Sequence, residues 1–377
     1  MQIIFNAAFD TKLKVGISLY IQKLIPHLAK VCDLTILTPD PHLFSDYGKT
    51  IPVPDFVRYN LRRTLWTMTA LNQYLKKTEA VLFSPLPTLP LFPKIPAIAV
   101  VHDITPLLVR RSIPAKEKLF FYLGLQSLKF ADYIITVSNH TRKDLRKLHL
   151  VPRNRIVVAY NGPGITPSPF AADFGKQFTP YILYVGSHSA HKNLSRLIAA
   201  FARINRKVEV PNSQNQELKL VIVGPGSPEQ LAQTRRTIAR FSLQPQVLLF
   251  DQLDENRLSS LYRHCLFLVQ PSVYEGFGLP VLEAMLHGAP VACSKTLSLL
   301  EVAGDAAVFF DPYSTEDILN KIQLLLDQPQ LRQRLAEEGL KQAAQFNWDK
   351  TAQKIAMLAR RLVPGSGNLE TVRSPPN

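Results

Sequence analysis

Cysteine is scarce in this 377-residue chain: Cys32, Cys265 and Cys293 lie far apart, form no C-x-x-C pair and have no His at ligand spacing. That argues against a disulfide framework or a structural zinc site and fits a reducing cytoplasm. Acidic residues are also in short supply. Against 44 Lys and Arg stand 29 Asp and Glu, a net charge of +15. Glycine is ordinary at 16 and the 29 prolines are scattered, so collagen and long Pro-rich linkers are excluded. No apolar run reaches the ~18 to 20 residues that cross a bilayer. The apolar start Met1–Phe5 is followed at once by Asp10, with no basic leader or cleavage motif. G-x-S-x-G, H-E-x-x-H and G-x-x-x-x-G-K-[ST] do not occur. The first strand is not followed by G-x-G-x-x-G, which argues against a dinucleotide dehydrogenase.

What is present is enough for two or three domains. Apolar residues make up 46%, so full cores can form. The positive excess is uneven: residues 1–175 hold 22 Lys/Arg against 11 Asp/Glu, and residues 176–377 hold 22 against 18. Such an excess points to a polyanionic neighbour: nucleic acid, an anionic membrane or a phosphorylated ligand. Three basic clusters belong to the first half: Arg58, Arg62, Arg63 with Lys76 and Lys77; Arg110, Arg111, Lys116 and Lys118; Arg142, Lys143, Arg146 and Lys147. Each could equally be a solvated face. No nucleic-acid motif occurs and the aromatics do not interleave with the basics, so no nucleic-acid partner is expected.

Short buried-type strands alternate with helices through both halves, which implies parallel sheets covered on both faces. The fold class is α/β, two doubly wound Rossmann-like domains facing across a cleft. The boundaries are a first domain at 1–165, a linker at 166–177, a second domain at 178–345, a last helix at 346–362 and a flexible tail at 363–377.

The strongest constellation is Glu275-Gly276-Phe277-Gly278-Leu279-Pro280-Val281-Leu282-Glu283, after a strand that ends at Gln270. Pro280 suits a first helical position. Gly276 and Gly278 let backbone approach a ligand, and the free amides at the helix start favour phosphate. Glu275 and Glu283 are acceptors suited to the hydroxyls of sugar and ribose. The bland alternative is a strand–turn–helix connection whose carboxylates merely favour the helix start. Lys192, between a strand and a helix, can meet a diphosphate as a point charge, or sit solvated in its loop.

This E-G-F-G-L-P-V-L-E-A-M stretch resembles the signature of family 4 retaining glycosyltransferases (glycosyl transferases group 1) of the GT-B fold. The resemblance covers roughly residues 1–362. Weaker matches agree: Gly16 opening a helix, Val101-His102-Asp103 after a strand, Val137-Ser138 before a basic helix, Val185-Gly186 then Lys192-Asn193-Leu194, and Gly288-Ala289-Pro290-Val291-Ala292. The subtype is similar to mannosyltransferases that build polysaccharide and lipopolysaccharide. Many relatives carry Arg beside the Gly or the Lys of the Lys192 loop; Ser187 and His191 stand there in this chain.

The resemblance implies a retaining hexosyltransferase that uses an NDP-sugar, GDP-mannose or a UDP-hexose, as donor. It implies a glycan or lipid-diphosphate acceptor held by the first domain. His102 and Glu275 are the expected catalytic residues. Glu275, Phe277, Gly278 and Leu279 would hold the donor sugar; Gly16, Lys192, Gly278 and Leu279 the diphosphate; Glu283 the ribose; Gly224 and Leu253 the nucleobase. No Asp-x-Asp occurs, so no metal and no cofactor is expected. Same-face substitution, with the leaving phosphate taking the acceptor proton, is the implied route. The expected location is cytoplasmic, peripheral at the inner face of the cytoplasmic membrane through the basic first domain. The competing readings are a non-catalytic GT-B scaffold that binds polyanion or membrane, and another GT-B enzyme such as a sugar-nucleotide epimerase.

Overall fold

The computed structural model describes residues 1–9, 16–58, 60–75, 79–109, 115–169, 173–204, 207–208 and 216–363. Lys76, Lys77, Arg110, Arg111, part of the expected linker and the expected tail at 364–377 lie outside the described residues. Two parallel sheets carry the chain. The first has seven strands in the order Lys49–Pro52, Asp33–Thr38, Gln2–Asn6, Ala80–Ser84, Ala97–Val101, Tyr133–Thr136, Ile156–Val158. The second has six in the order Val247–Phe250, Lys219–Val223, Tyr181–Val185, Phe267–Gln270, Val291–Ser294, Val308–Phe310. Every pairing within them is parallel.

Helices on both faces explain the composition of the strands. Ala80–Ser84 and Ala97–Val101 are buried at every position, so they read as unbroken apolar runs rather than alternating ones. In each sheet the strand order reverses beside its first strand. The resulting crevices open between Asn6 and Ser84 in the first sheet, and between Val185 and Gln270 in the second. Ligands of doubly wound sheets bind at such switch points.

Several elements differ from the sequence reading. The sequence pattern predicts a helix from Leu65 to Lys77; the structure has the helix Asn60–Thr69, followed by a single 3-10 turn at Leu71–Gln73. The stretch from Lys116 to Phe130 reads as one helix in sequence; the structure has the helix Ala115–Gln126, which tightens into a 3-10 turn at Ser127–Phe130. The outer strands Lys49–Pro52 and Val308–Phe310 and the helix Leu297–Ala303 were not foreseen. Edge strands bury less and pair on one side only, so their apolar signal is weak.

The last helix, Trp348–Arg360, packs against the first domain's helix Gly16–Ala29. The Trp348 ring meets Tyr20 edge-on at 5.4 Å, and its Nε1–H donates to the Pro163 carbonyl at 2.8 Å. Thr351 donates to the Tyr160 carbonyl at 2.5 Å, and His27 meets Asp349 at 2.7 Å. One continuous core therefore runs from the first sheet through the linker to the second domain.

Candidate active site

The second sheet's crevice is built by two loops that hold each other. After the strand Tyr181–Val185, Gly186 turns the chain and a 3-10 turn covers Ala190–Lys192. Asn193 then takes a left-handed conformation at φ 62°, and its amide donates to the carbonyls of Pro271 and Pro312 at 2.9 and 2.7 Å. The Val273 amide returns a bond to the His191 carbonyl at 2.8 Å. Lys192 is thereby aimed at the loop that follows Gln270. Its Nζ donates to both Glu275 oxygens, at 2.7 and 2.8 Å.

Glu275 is buried; its Oε1 is crowded with donors, while among the described residues its Oε2 accepts only from Lys192. Ser272 Oγ donates to it at 2.7 Å and Gln270 Nε2 at 3.1 Å. Burial pushes its carboxyl up, but Lys192, Ser272 and His191 together pull it below the ordinary value, so it is ionised. His191 moves down because it is buried beside Lys192, against weaker pulls from Glu275 and Asp103, and is neutral at pH 7. Lys192 is therefore the fixed cation of this loop.

Gly278 caps the helix Leu279–Leu286 with φ 114°, a conformation that favours glycine. A Cβ there would stand 2.5 Å from Leu299 Cδ2. The helix start carries no side-chain cap. Phe277 points away from the crevice: it is buried between Tyr160 and Phe346, with ring centroids 6.2 and 5.8 Å away. Whatever Phe277 gives a donor sugar comes from its main chain.

The same loop docks on the first domain. The Gly276 carbonyl accepts from Ser138 Oγ at 2.6 Å and Thr141 Oγ1 at 3.3 Å. A Cβ on Gly276 would overlap the His102 carbonyl oxygen. Tyr274 donates to Asp144 at 3.0 Å. Glu301 accepts from the Asn139 and His140 amides at 2.8 and 2.7 Å, at the start of the helix Asn139–Lys147. A carboxylate suits that helix end. Sequence reading named Ser138 without giving it this contact, and missed Thr141 and Glu301. Ser138 is legible as a cap after a strand, but nothing local marks Glu301 as its neighbour across the cleft.

His102 follows the strand Ala97–Val101. It meets Tyr20 edge-on at 4.7 Å, and its Nε2 bonds the Pro85 carbonyl at 2.9 Å. Burial moves its pKa down, so the ring is neutral, Nε2 carries the proton and Nδ1 is left as an acceptor. His102 also lines a cavity of about 870 Å³ in the first domain, with Phe9, Ile17, Arg63, Asp103, Lys116 and Phe121 among its walls.

Glu283 is turned to Gly164 and Ile165, the last residues of the first domain before the linker. It accepts from the Tyr262 hydroxyl at 2.8 Å and from the amides of Gly164 and Ile165. Gly164 is squeezed between this carboxylate and Leu19; a Cβ there would stand 2.5 Å from Glu283 Oε1 and 2.6 Å from Leu19 Cδ2. A ribose at Glu283 would share the carboxylate with the Gly164 and Ile165 amides. Gly16 opens its helix at φ 54° with open space around its missing Cβ, so its backbone conformation accounts for the glycine. Gly224 lies against Gly186, where a Cβ would overlap the Gly186 carbonyl oxygen. Leu253 is half-buried against the interdomain core. The structure thus gathers Lys192, Glu275, Gly278 and Leu279 at one crevice, with His102 facing them through Gly276. Glu283 is joined to the helix of Gly16 through Gly164, and Gly224 stands at the rim.

Burial pushes the Glu283 carboxyl up to about 7, with Tyr262, the two amides and Lys23 pulling the other way. The folded chain then binds this proton more tightly than the unfolded chain. The stabilisation is fully present below the unfolded value and is lost as pH rises toward 7, a swing of roughly 3 kcal/mol. Glu283→Gln is therefore expected to melt above the wild type near about pH 8, with the two curves meeting near about pH 5. Thermal denaturation across that range checks it.

Comparison with known proteins gives a consistent picture. Residues 172–342 match the family model described as glycosyl transferases group 1, and residues 15–163 match the one described as glycosyltransferase family 4. O-antigen chain mannosyltransferase B of Escherichia coli is 30% identical over 269 residues, 69% of each chain. The serotype-specific mannosyltransferase WbdA of Escherichia coli is 28% identical over 270 residues, 68% of this chain but only 32% of that longer protein. Sucrose-phosphate synthase from Thermosynechococcus elongatus superposes with a TM-score of 0.76 at 21% identity, over 97% of this chain and 100% of that one.

Proposed function

This chain belongs to glycosyltransferase family 4, and on that premise we propose that it moves a hexose from a nucleoside-diphosphate sugar to a glycan or lipid-linked acceptor, with retention at the anomeric carbon. It is a hexosyltransferase with the GT-B fold. GDP-mannose is the favoured donor, because the matched relatives are named mannosyltransferases, and cell-envelope polysaccharide or lipopolysaccharide is the favoured product.

One observation carries the site assignment: half-buried Lys192 and buried Glu275 form an ion pair at the second sheet's switch point, beside a helix start with no side-chain cap. A diphosphate placed there meets Lys192 and the amides of Gly278 and Leu279, with Gly16 across the cleft. Charge that develops on the leaving diphosphate is what such fixed donors stabilise. The reading needs no divalent metal. Glu275 receives sugar hydroxyls, neutral His102 receives the hydroxymethyl side, and Glu283 receives ribose. Gly224 and Leu253 border the base. A same-face departure lets the leaving phosphate take the acceptor proton.

The first domain supports a membrane-surface acceptor. Its helix Ala115–Gln126 is apolar on more than one side: Phe120 and Phe121 line the cavity while Leu119 and Tyr122 are exposed. Leu108 and Leu123 are exposed beside them, and Lys116 and Lys118 open the helix. An apolar surface with a basic rim suits an anionic leaflet, where each cation contributes ~1 kcal/mol. No described helix is long and apolar enough to cross a membrane.

A product assay over GDP- and UDP-hexoses tests the transfer. Epimer formation or binding without turnover would favour the epimerase or scaffold readings instead. Liposome flotation tests the surface: capture by anionic vesicles, weakened in Leu119→Ser/Tyr122→Ser, is expected, and no capture removes the membrane from the account.

A further inference from the structure

The first-domain cavity and the donor crevice meet at a carboxylate to which neither assigns a task. We propose that Asp103 receives the acceptor: its open carboxylate oxygen takes a hydrogen bond from the sugar-accepting hydroxyl and aims that hydroxyl at the anomeric carbon. The proposal rests on the transfer reading above and names a residue that reading leaves unused.

Asp103 stands at the carboxyl end of the strand Ala97–Val101, two residues past it. Its Oδ1 accepts the Thr105 amide at 2.8 Å, which fixes the side chain. Its Oδ2 accepts no hydrogen bond from the described residues. On one side Asp103 lines the 870 Å³ cavity. On the other it faces the donor loop, since a Cβ on Gly276 would stand 3.0 Å from the Asp103 Cβ. Its charge reaches His191 and Tyr274 of the second domain. A hydroxyl carried by a ligand in the cavity therefore comes to the Lys192–Glu275 crevice past this oxygen. An ionised carboxylate only accepts hydrogen bonds, so the partner must be an O–H or N–H donor, and a sugar hydroxyl is one.

The step balances without a further reactant. The acceptor oxygen bonds to the anomeric carbon. The bond from that carbon to the phosphate oxygen breaks, with its electron pair kept by the phosphate. The hydroxyl proton passes to that departing oxygen. Asp103 stays ionised and holds the hydroxyl in line.

Asp103→Asn separates this role from a structural one, because its amide oxygen can still accept the Thr105 amide. With GDP-mannose as donor and octyl α-mannoside as acceptor probe, transfer is expected to fall about 10- to 100-fold, the loss of one charge-assisted hydrogen bond. The melting temperature, the GDP-mannose affinity and the slow release of mannose to water should stay as in the wild type. Transfer within about twofold of wild type overturns the proposal. A parallel loss of GDP-mannose affinity also overturns it, since Asp103 would then serve the donor. A wild-type chain that binds no nucleotide hexose and transfers none overturns the function beneath it; wild-type transfer that the variant retains overturns Asp103 alone.

Discussion

Lys192→Ala is expected to lower kcat/KM for sugar transfer by about 10²- to 10³-fold, the range seen when a preorganised charge stabiliser is removed. Two effects add. The leaving diphosphate loses its cation, and Glu275 loses the partner that keeps it ionised. Glu275 is buried, and removing one member of a buried pair leaves the other uncompensated. In the wild type the Glu275 carboxyl lies below its ordinary value, so its contribution to stability is present at neutral pH and is lost as pH falls through the folded value. In the variant that dependence should reverse, because a buried carboxyl without Lys192 is pushed up. Steady-state kinetics read the first effect and melting temperature against pH the second. A double-mutant cycle with Glu275→Gln isolates the pair. Strongly coupled losses are expected; independent ones would mean that the two side chains do not act on one ligand.

Trp348→Ala should be the most damaging substitution outside the crevice. Trp348 is 5% exposed, meets Tyr20, and lies so close to the end of the first domain that a Cβ on Gly162 would stand 2.5 Å from its Cδ1. Its removal deletes the hydrogen bond to Pro163 and leaves a cavity between the Gly162–Pro163 segment and the first helix. Large aromatic truncations of this kind cost about 3–5 kcal/mol. With an unfolding entropy of about 2 cal/mol/K per residue, a chain of 377 residues shifts by roughly 1 °C per kcal/mol, so the melting temperature should fall by roughly 5 °C. Trp348→Phe, which keeps most of the packing, should recover more than half of the loss. Equal melting temperatures for Trp348→Ala and wild type would mean that the last helix does not hold the domains together.

Much of this was legible in the sequence because the relevant signals are local. Glu275 to Glu283 lie on one strand–loop–helix unit, and the strands are short apolar runs between breakers. The Pro280 helix start and the Ser138 cap are likewise set by neighbouring residues. What the sequence hid depends on distant partners. Lys192 and Glu275 are 83 residues apart, and only the folded loops show them paired. Phe277 was expected at the donor sugar, but its side chain closes the interdomain core. Glu283 reads as a helix-start acid, yet its proton affinity is set by burial against Tyr262, Gly164 and Ile165. Glu301 carried no local signal, because the helix end it satisfies belongs to the other domain. The basic excess of the first half changes meaning for the same reason. Arg58 is tied to Asp40 by bonds of 2.7 and 2.8 Å, so part of that charge is structural, while Lys116 and Lys118 border the exposed apolar helix.

The central claim is that the Lys192–Glu275 crevice holds a nucleoside-diphosphate hexose. Calorimetric titration of GDP-mannose and UDP-hexoses into the wild-type chain and Lys192→Ala tests it most directly. Saturable binding of at least one of them, lost or weakened by an order of magnitude or more in the variant, is the predicted result. Equal affinity in both proteins, or no binding of any of these donors at millimolar concentration, would contradict it.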